Sequence, residues 1–261
     1  MIDSLCDASS PSADGTFVIR EGWRQGRGAF GGLTIAAAIR AIEARVGDSR
    51  RTVRSVTAEL PGPSLPGEAR FVVDILRSGN SVTVARAALH QQDAVTTHAV
   101  AILGTTRSSD LSWRELAMPT ATDWRSLDAP TMSGGFPEFA QHFEYRLLTG
   151  VPFTGGASAV TTGWIRARHP GDARDAAYIA AMMDAWWPAL MVRLTAPRPL
   201  ATIAYTLEIL DGVDGLPADA PLLYRGSVPI AGDGYFLETR ELWGEDGRLV
   251  ALNHQTFAVI R

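Results

Sequence analysis

The sequence predicts an α+β protein built from two similar halves, each with a long apolar helix packed on an antiparallel sheet. Three observations predict this class. Each half opens with an apolar stretch, each continues with several short strand-like runs, and turns rather than helical crossovers separate those runs. The same order recurs in both halves, which indicates an internal repeat.

The first half is predicted to contain one helix followed by four strands. Residues 1–15 are rich in Ser and Asp and are expected to be loose. Gly31 and Gly32 open the apolar stretch at 33–46, which is the first predicted helix. The predicted strands cover residues 53–60, 69–77, 82–89 and 95–103, and the Ser-Gly-Asn-Ser sequence at 78–81 marks one of their turns.

A long segment between the halves is predicted to be a linker. Residues 104–140 combine a polar run with the breakers Met118-Pro119, Ala129-Pro130 and Ser133-Gly134-Gly135, and they are far longer than an ordinary loop. We therefore expect one domain at 16–104, a linker at 105–140 and a second domain at 141–261.

The second half is predicted to repeat the pattern around a helix at 176–192. This stretch is apolar on every face, so we expect it to be buried all round, although Pro188 lies inside it. The strands predicted after it cover residues 200–210, 222–229, 235–243 and 249–260.

Composition excludes several classes of function. The chain has 261 residues, 46% of them apolar, and a net charge of −4, which is typical of a globular protein and gives no footprint for nucleic acid. All 24 basic residues are Arg, so neither a Schiff-base lysine nor a Walker A lysine is present. The one cysteine, Cys6, permits no intrachain disulfide and no Cys-rich zinc site.

Cellular location is predicted from two absences in the sequence. Residues 1–15 lack the basic and apolar regions of a signal peptide, and no apolar run reaches the roughly 18 residues that a membrane span needs. We therefore expect a cytoplasmic protein that enters no membrane. No cofactor and no metal are expected either.

Asp184 is the strongest candidate for chemistry. It is the one charged residue of the apolar helix, and burying a carboxylate costs several kcal/mol unless it is hydrogen-bonded or neutral. A catalytic carboxylate with a perturbed pKa is one interpretation. The alternative is a structural Asp before Pro188 that caps a backbone group or touches a subunit interface.

Other catalytic designs lack their residues. No two of the five histidines have the i, i+4 spacing of a metalloprotease, and no Gly-x-Ser-x-Gly elbow is present. The glycines from Gly26 to Gly31 have no βαβ unit around them. They are better placed to open the first helix, either as a simple junction or as N–H donors to a carbonyl oxygen or oxyanion.

Two polar strand residues complete a candidate set with Asp184. In the strand at 200–210, regular alternation places Ile203, Tyr205 and Leu207 on one face, and Thr202 and Thr206 on the other. Gln255 lies mid-strand among apolar neighbours, where an amide needs a partner. Aligning the turns of the two halves places Ala101 at the position of Gln255, so the polar residue occurs in the second half only.

The ordered motifs resemble the bacterial acyl-CoA thioesterase II family over about residues 20–260. The matching stretches are Gly28-Ala29-Phe30-Gly31-Gly32, Leu76-Arg77-Ser78-Gly79-Asn80-Ser81, Met183-Asp184-Ala185-Trp186-Trp187, Ala201-Thr202-Ile203 and Asp246-Gly247-Arg248-Leu249-Val250-Ala251, with Gln255 four residues on. The resemblance implies a double hotdog, two repeats of a central helix wrapped by a curled antiparallel sheet, with the two sheets joined edge to edge. It also implies that Asp184, Thr202 and Gln255 activate a water for thioester hydrolysis, Thr206 being the alternative if the strand register differs.

The resemblance also implies how a substrate binds. Phe30, Gly31, Gly32 and Trp187 are expected to contact an acyl-CoA or acyl-carrier thioester, with backbone N–H groups at the glycines, or at the start of the second helix, holding the oxyanion. Met182, Met183 and Trp186 either line the acyl tunnel or pack in the core. A homodimer or larger homo-oligomer is expected.

Departures from the family bear on substrate choice and rate, and two other functions stay open. The chain has Pro61-Gly62 where the family has an Arg-Pro-Gly turn, and Ala204 and Tyr205 where it often has an Asp and a second polar residue. One rival is a non-catalytic binder of acyl thioesters. The other is a hotdog hydratase or dehydratase, whose His/Asp pair in an Asn-Pro motif is missing.

Overall fold

The computed structural model describes residues 3–129, 136–209, 213, 215–217 and 219–260. Pro130 and residues 133–135 of the predicted linker, and residue 210 at the end of a predicted strand, lie outside these ranges.

The described residues form three α-helices and thirteen strands. The helices are α1 (Leu5–Ala8), α2 (Gly31–Val46) and α3 (Ala176–Asp184). The strands are β1 (Thr16–Ile19), β2 (Arg24–Gln25), β3 (Gly28–Ala29), β4 (Thr52–Glu59), β5 (Gly67–Ser78), β6 (Val82–Gln91), β7 (Ala94–Gly104), β8 (Phe143–Thr149), β9 (Val160–Ala167), β10 (Leu200–Glu208), β11 (Leu222–Gly232), β12 (Tyr235–Gly244) and β13 (Leu249–Val259).

Eleven of these strands form one antiparallel sheet, as the sequence predicts for a chain whose strands are joined by short turns. Their order is β1-β5-β6-β7-β4-β10-β13-β12-β11-β9-β8, and β2 and β3 form a separate two-stranded ribbon. The sheet has two ends, at β1 and β8, and is not closed into a barrel. The α+β class is confirmed.

Strands β4 and β10 join the two halves of the chain edge to edge. Their register pairs Ala58 with Tyr205 and Val56 with Leu207, and the four side chains are buried. The strands therefore continue one hydrogen-bonded ladder and one core across the junction.

The two long helices pack against each other and against the inner face of the sheet. Helix α2 begins at Gly31, the first of the two glycines expected to open it, and ends at Val46. Its C-cap is Gly47, whose φ of 64° is the left-handed conformation that suits a C-cap glycine. Helix α3 is buried on every side along residues 176–183, which confirms the burial expected for its sequence. Within the described ranges no helix has the length and apolarity to cross a membrane.

The predicted helix at 176–192 is wrong in its length. Helix α3 ends at Asp184, and a separate 3-10 turn covers Ala189–Val192. Pro188 causes the break because it has no N–H to donate to the carbonyl of Asp184, and because it disfavours the helical conformation at Trp187.

Several elements were not predicted from the sequence. Strands β8 and β9 precede α3, so the second half contributes six strands to the sheet rather than the four predicted. In the first half, β1 precedes α2 and is likewise an additional strand. The expectation that residues 1–15 are loose is wrong for α1, whose Leu5 and Ala8 are buried and whose first turn is capped by Ser4. Cys6 therefore lies in a helix.

The described part of the linker is anchored on the outer face of the sheet. Apart from a 3-10 turn at Trp124–Ser126, residues 105–129 have no regular element. Trp124 packs with Trp164 and Trp243 in a second, smaller core, and Arg146 donates to the carbonyl of Trp124 at 2.6 Å. The linker therefore packs on the sheet around Trp124, whereas Leu111 and Trp113 are largely exposed.

Candidate active site

The end of helix α3 brings Asp184 against the start of helix α2. A Cβ at Gly31 would lie 3.1 Å from Asp184 Oδ2, and a Cβ at Gly32 would lie 2.9 Å from Asp184 Cβ and 2.4 Å from Phe30 Cζ. The backbone N–H of Gly32 acts on the Asp184 carboxylate and lowers its pKa. The two glycines therefore allow the backbone of one helix to meet the carboxylate at the end of the other.

A chain of side-chain hydrogen bonds links Asp184 to Gln255 and Thr202. Gln255 Nε2 donates to Asp184 Oδ1 at 3.0 Å, and Thr202 Oγ1 donates to Gln255 Oε1 at 3.2 Å. Gln255 Nε2 also donates to Asn253 Oδ1 at 3.0 Å, while Asn253 Nδ2 donates to the Thr206 carbonyl at 2.7 Å. Because that carbonyl only accepts, it fixes the orientation of both amides. The structure brings the three predicted catalytic residues together.

A β-bulge in β10 gives Thr202 its position. The register against β13 pairs Thr202 with Phe257 and Ala204 with Thr256, which leaves Ile203 as an extra residue. The bulge turns Thr202 to the inner face, where Tyr205 is buried. The predicted alternation was therefore wrong here: it placed Thr202 on the face opposite Tyr205, and Ile203 on the same face as Tyr205.

Thr206 does not replace Thr202 in the hydrogen-bonded set. It follows the buried Tyr205 directly, and alternation along a strand points the two side chains to opposite faces. Its carbonyl, rather than its hydroxyl, takes part by accepting from Asn253. Tyr205 itself donates to the carbonyl of Ala180 at 3.1 Å and so holds α3.

Burial raises the pKa of Asp184, while Arg240, Gln255 and the Gly32 N–H act to lower it. Its side chain is only 7% exposed, so loss of water around the carboxylate is the largest effect. Burial also raises the pKa of Tyr145, Tyr205 and Tyr224, which keeps these phenols neutral. The arrangement suits a carboxylate that takes up a proton more readily than a solvated Asp.

A buried Arg240–Glu238 pair lies beside Asp184 and was missed in the sequence. Arg240 Nη1 is 3.7 Å from Asp184 Oδ1, and Arg240 Nε donates to Glu238 Oε1 at 2.9 Å. The signal was available in β12, because alternation places both charged residues on the face of Phe236 and Leu242, which are buried. A Glu and an Arg on an apolar strand face need a reason, as Asp184 does.

The remaining predicted residues have different surroundings. Phe30 is fully buried, with its ring stacked on Phe139 at 4.2 Å, so its contact with a substrate stays a prediction. Trp187 is half-buried, and its indole N–H is enclosed without a hydrogen-bond partner among the described residues. Met182 and Met183 are fully buried, as core packing requires.

Of the two helix starts considered for the oxyanion, only that of α2 lies near Asp184. Helix α3 has nine residues and ends at Asp184, so its own start is about 12 Å away. Within the described ranges no group of three or more His, Cys, Asp or Glu could hold a metal ion.

Comparison with known proteins identifies the family. The family models for the N-terminal and C-terminal domains of acyl-CoA thioesterases match residues 19–104 and 115–259. No curated protein gives a significant match.

Solved structures share the fold. A hot dog fold protein of unknown function from Alicyclobacillus acidocaldarius is 24% identical with a TM-score of 0.90, over 100% of this chain and 99% of its own. An acyl-CoA thioesterase II from Mycobacterium marinum is 23% identical with a TM-score of 0.72, over 88% of this chain and 89% of its own. The tesB protein of Mycobacterium avium subspecies paratuberculosis is 18% identical with a TM-score of 0.80, over 98% of both chains. The chain therefore has a hotdog fold, and by its two matched domains it belongs to the acyl-CoA thioesterase family.

Proposed function

We propose that the protein hydrolyses acyl thioesters, with acyl-CoA as the substrate class, by a water that Asp184 activates. One observation carries the proposal: the continuous hydrogen bonds from Thr202 through Gln255 to a carboxylate whose burial raises its pKa. A general base works best when its pKa lies nearer to the working pH than that of a solvated carboxylate.

The water is held by Thr202 and Asp184 in this mechanism. Thr202 spends its one hydroxyl proton on Gln255 Oε1, so its oxygen lone pairs are left to accept from the water. Asp184 takes the other proton of the water as its oxygen attacks the carbonyl carbon. Collapse of the tetrahedral intermediate breaks the carbon–sulfur bond, and the thiolate receives the proton that Asp184 accepted. The products are a carboxylic acid and a free thiol.

The start of α2 supplies the oxyanion donor in this proposal. The Gly32 N–H acts on Asp184, so the N–H of Gly31 is the donor assigned to the oxyanion. The enclosed indole N–H of Trp187 is a second donor that a bound substrate would satisfy.

We propose that the fold is a double hotdog with domains at 16–104 and 141–261. The pairing of β4 with β10 supports two repeats, because Thr57 faces Thr206 and each strand has an irregularity at the same distance from its threonine. An irregularity lies two to four residues before each threonine, at Val53/Ser55 in β4 and at Thr202/Ala204 in β10.

The same registers support a site whose polar side chains come from the second repeat. Gln255 faces Glu238 and Asn253 faces Arg240 across β13 and β12, and the corresponding positions across β7 and β6 are alanines. These alanines are Ala101, Ala85, Ala99 and Ala87. Their small side chains leave room for α2 against β6 and β7, so the first repeat supplies a helix start and the second supplies the polar set.

The test is release of free thiol across a panel of acyl-CoAs by the wild type, Asp184→Asn and Asp93→Asn. Asp93 lies in an exposed turn and serves as the matched control. Loss of the general base is expected to lower kcat by about 100-fold or more, while the control keeps the wild-type rate.

Two results would contradict the proposal. An Asp184→Asn rate within about threefold of the wild type would reject the mechanism. No turnover by a folded wild type on acyl-CoA or acyl-carrier thioesters would reject hydrolysis and favour the binding protein. The expected homo-oligomer is tested separately, by the mass of the protein in solution.

A further inference from the structure

The Arg240–Glu238 pair is buried although the fold does not require it. Arg240 is 1% exposed and Glu238 is fully buried, on the inner face of β12. The corresponding positions in the first half are Ala87 and Ala85 on β6, and β6 pairs with β7 there in the same register as β12 with β13. Burying a Glu–Arg pair is often no more stable than burying apolar side chains, so the pair calls for a functional account.

The pair holds both ends of the turn that follows Asp184. Arg240 Nη1 donates to the Met183 carbonyl at 3.0 Å, at the end of α3. Glu238 Oε2 accepts from the N–H of Ala189 at 2.9 Å, where the 3-10 turn begins. A displacement of either residue would therefore move the backbone on one side of Asp184.

Glu238 also determines how closely Arg240 approaches Asp184. The guanidinium makes its hydrogen bond to Glu238 at 2.9 Å, and its nearest distance to Asp184 Oδ1 is 3.7 Å, too long for a hydrogen bond. An Arg that formed a direct two-pronged bond with Asp184 would stabilise the ionised carboxylate and weaken it as a base.

We propose that Glu238 and Arg240 are positioning residues for Asp184, Arg240 balancing its charge across a gap and Glu238 keeping that gap open. The proposal rests on the hydrolysis proposed above. It assigns neither residue a contact with the substrate, because both act through Asp184.

The other groups around Asp184 do not duplicate this role. Gln255 on β13 and the Gly32 N–H on α2 are uncharged donors. The neighbouring phenols are neutral because burial raises their pKa; they are Tyr145 on β8, Tyr205 on β10 and Tyr224 on β11. Arg240 is the cation that lowers the pKa of Asp184, and Glu238 is the second carboxylate that interacts with Arg240.

The test exploits the opposite signs of the two effects. Arg240→Gln removes the charge but keeps a donor to the Met183 carbonyl. Without the cation the pKa of Asp184 should rise, so the acid limb of the pH profile of kcat/KM should move to higher pH. In Glu238→Gln the guanidinium is released towards Asp184, so the limb should move to lower pH. Each shift is expected to be about one pH unit or more. Arg240→Lys, which keeps the charge, should return the limb close to its wild-type position.

Arg225→Gln is the matched control. Arg225 lies on β11 and pairs with Glu241 of β12 at 3.4 Å on the more exposed face of the sheet. Removing its charge should leave the limb in place. Shifts of the same sign in Arg240→Gln and Glu238→Gln, or no shift in either, would show that the pair is only structural. If Arg240→Gln does not fold, Glu238→Gln alone decides, and an upward or absent shift overturns the proposal.

A second readout separates this proposal from the proposed reaction. Carbon-13 NMR of labelled Asp carboxyls follows the titration of Asp184 directly, its resonance being assigned by its loss in Asp184→Asn. The same opposite shifts are expected without any substrate. If the wild type hydrolyses no thioester but the two variants shift the titration of Asp184 in opposite directions, the reaction is rejected and the positioning pair is kept. Hydrolysis by the wild type without these shifts in the variants would keep the reaction and reject the positioning pair.

Discussion

Adding one methyl group at Gly32 tests whether the approach of α2 controls the reactivity of Asp184. The Cβ of Gly32→Ala would lie 2.4 Å from Phe30 Cζ and 2.9 Å from Asp184 Cβ. Ordinary carbon–carbon contacts are about 3.5 Å or longer, so the two groups must withdraw by roughly 1.1 and 0.6 Å. Phe30 is fully buried and stacked on Phe139, so much of the adjustment falls on Asp184.

A displacement of this size has calculable effects on rate and stability. Misplacing a reacting group by about 1 Å can cost 100-fold in rate. Overpacking a core costs about 1–3 kcal/mol, of which up to about 1 kcal/mol is offset because Ala favours a helix over Gly. We expect kcat to fall about 100-fold and the free energy of unfolding to fall by about 1–2 kcal/mol.

Thiol release and urea unfolding measure the two quantities. Gly62→Ala is the matched control, because a Cβ at Gly62 meets nothing within 4 Å, and both quantities should stay at their wild-type values. If Gly32→Ala kept kcat within about threefold of the wild type, the close approach of α2 would not control the carboxylate and the reasoning would be refuted.

Two further predictions concern Glu43 and Thr202. Burial raises the pKa of Glu43 to about 7, so its folded state favours the protonated form, and wild-type stability falls as pH rises from about 4.5 through 7. Glu43→Gln should be more stable than the wild type at pH 8 by about 1–3 kcal/mol and equal to it near pH 4.5; thermal unfolding across this range measures the difference, and an equal gain at both pH values would contradict the assignment. Thr202→Val should lower kcat by roughly 10-fold or more by leaving Gln255 Oε1 without its donor, whereas Thr202→Ser should keep most of it. Equal rates in the two variants would exclude the hydroxyl from the reaction.

Local patterns predicted most of the sheet because its strands are short apolar runs bounded by turns. The four strands of the first half were located to within about two residues at each end, from 53–60 against Thr52–Glu59 to 95–103 against Ala94–Gly104. Strand β9 escaped because Gly163 breaks its apolar alternation, whereas β8 alternates regularly from Phe143 to Leu147 and was overlooked. A Cβ at Gly163 would lie 2.4 Å from the Trp186 ring, so that glycine reflects packing that no local pattern displays.

The site was predictable where a residue contradicts its neighbours. Asp184 and Gln255 stand out as polar residues in apolar elements, and the structure joins them by one hydrogen bond. Thr202 lies within hydrogen-bond distance of Gln255, but its face was assigned wrongly, since the extra residue of the bulge at Ile203 leaves no mark in the alternation. Glu238 and Arg240 had the same signal as Asp184, but together they read as an ordinary pair of surface charges.

One edge of β4 must stay unpaired on the ribosome until β10 has been synthesised. β4 gains β7 as a neighbour soon after it is made, but its other edge waits for β10, which begins at Leu200, about 140 residues after Glu59. At roughly 5–20 residues per second, this edge stays open for about 7–30 seconds of synthesis. An unpaired edge offers its N–H and C=O groups to any strand nearby, including the same edge of another nascent chain. The strand that unites the finished molecule is therefore the place where two unfinished copies are most exposed to pairing with each other.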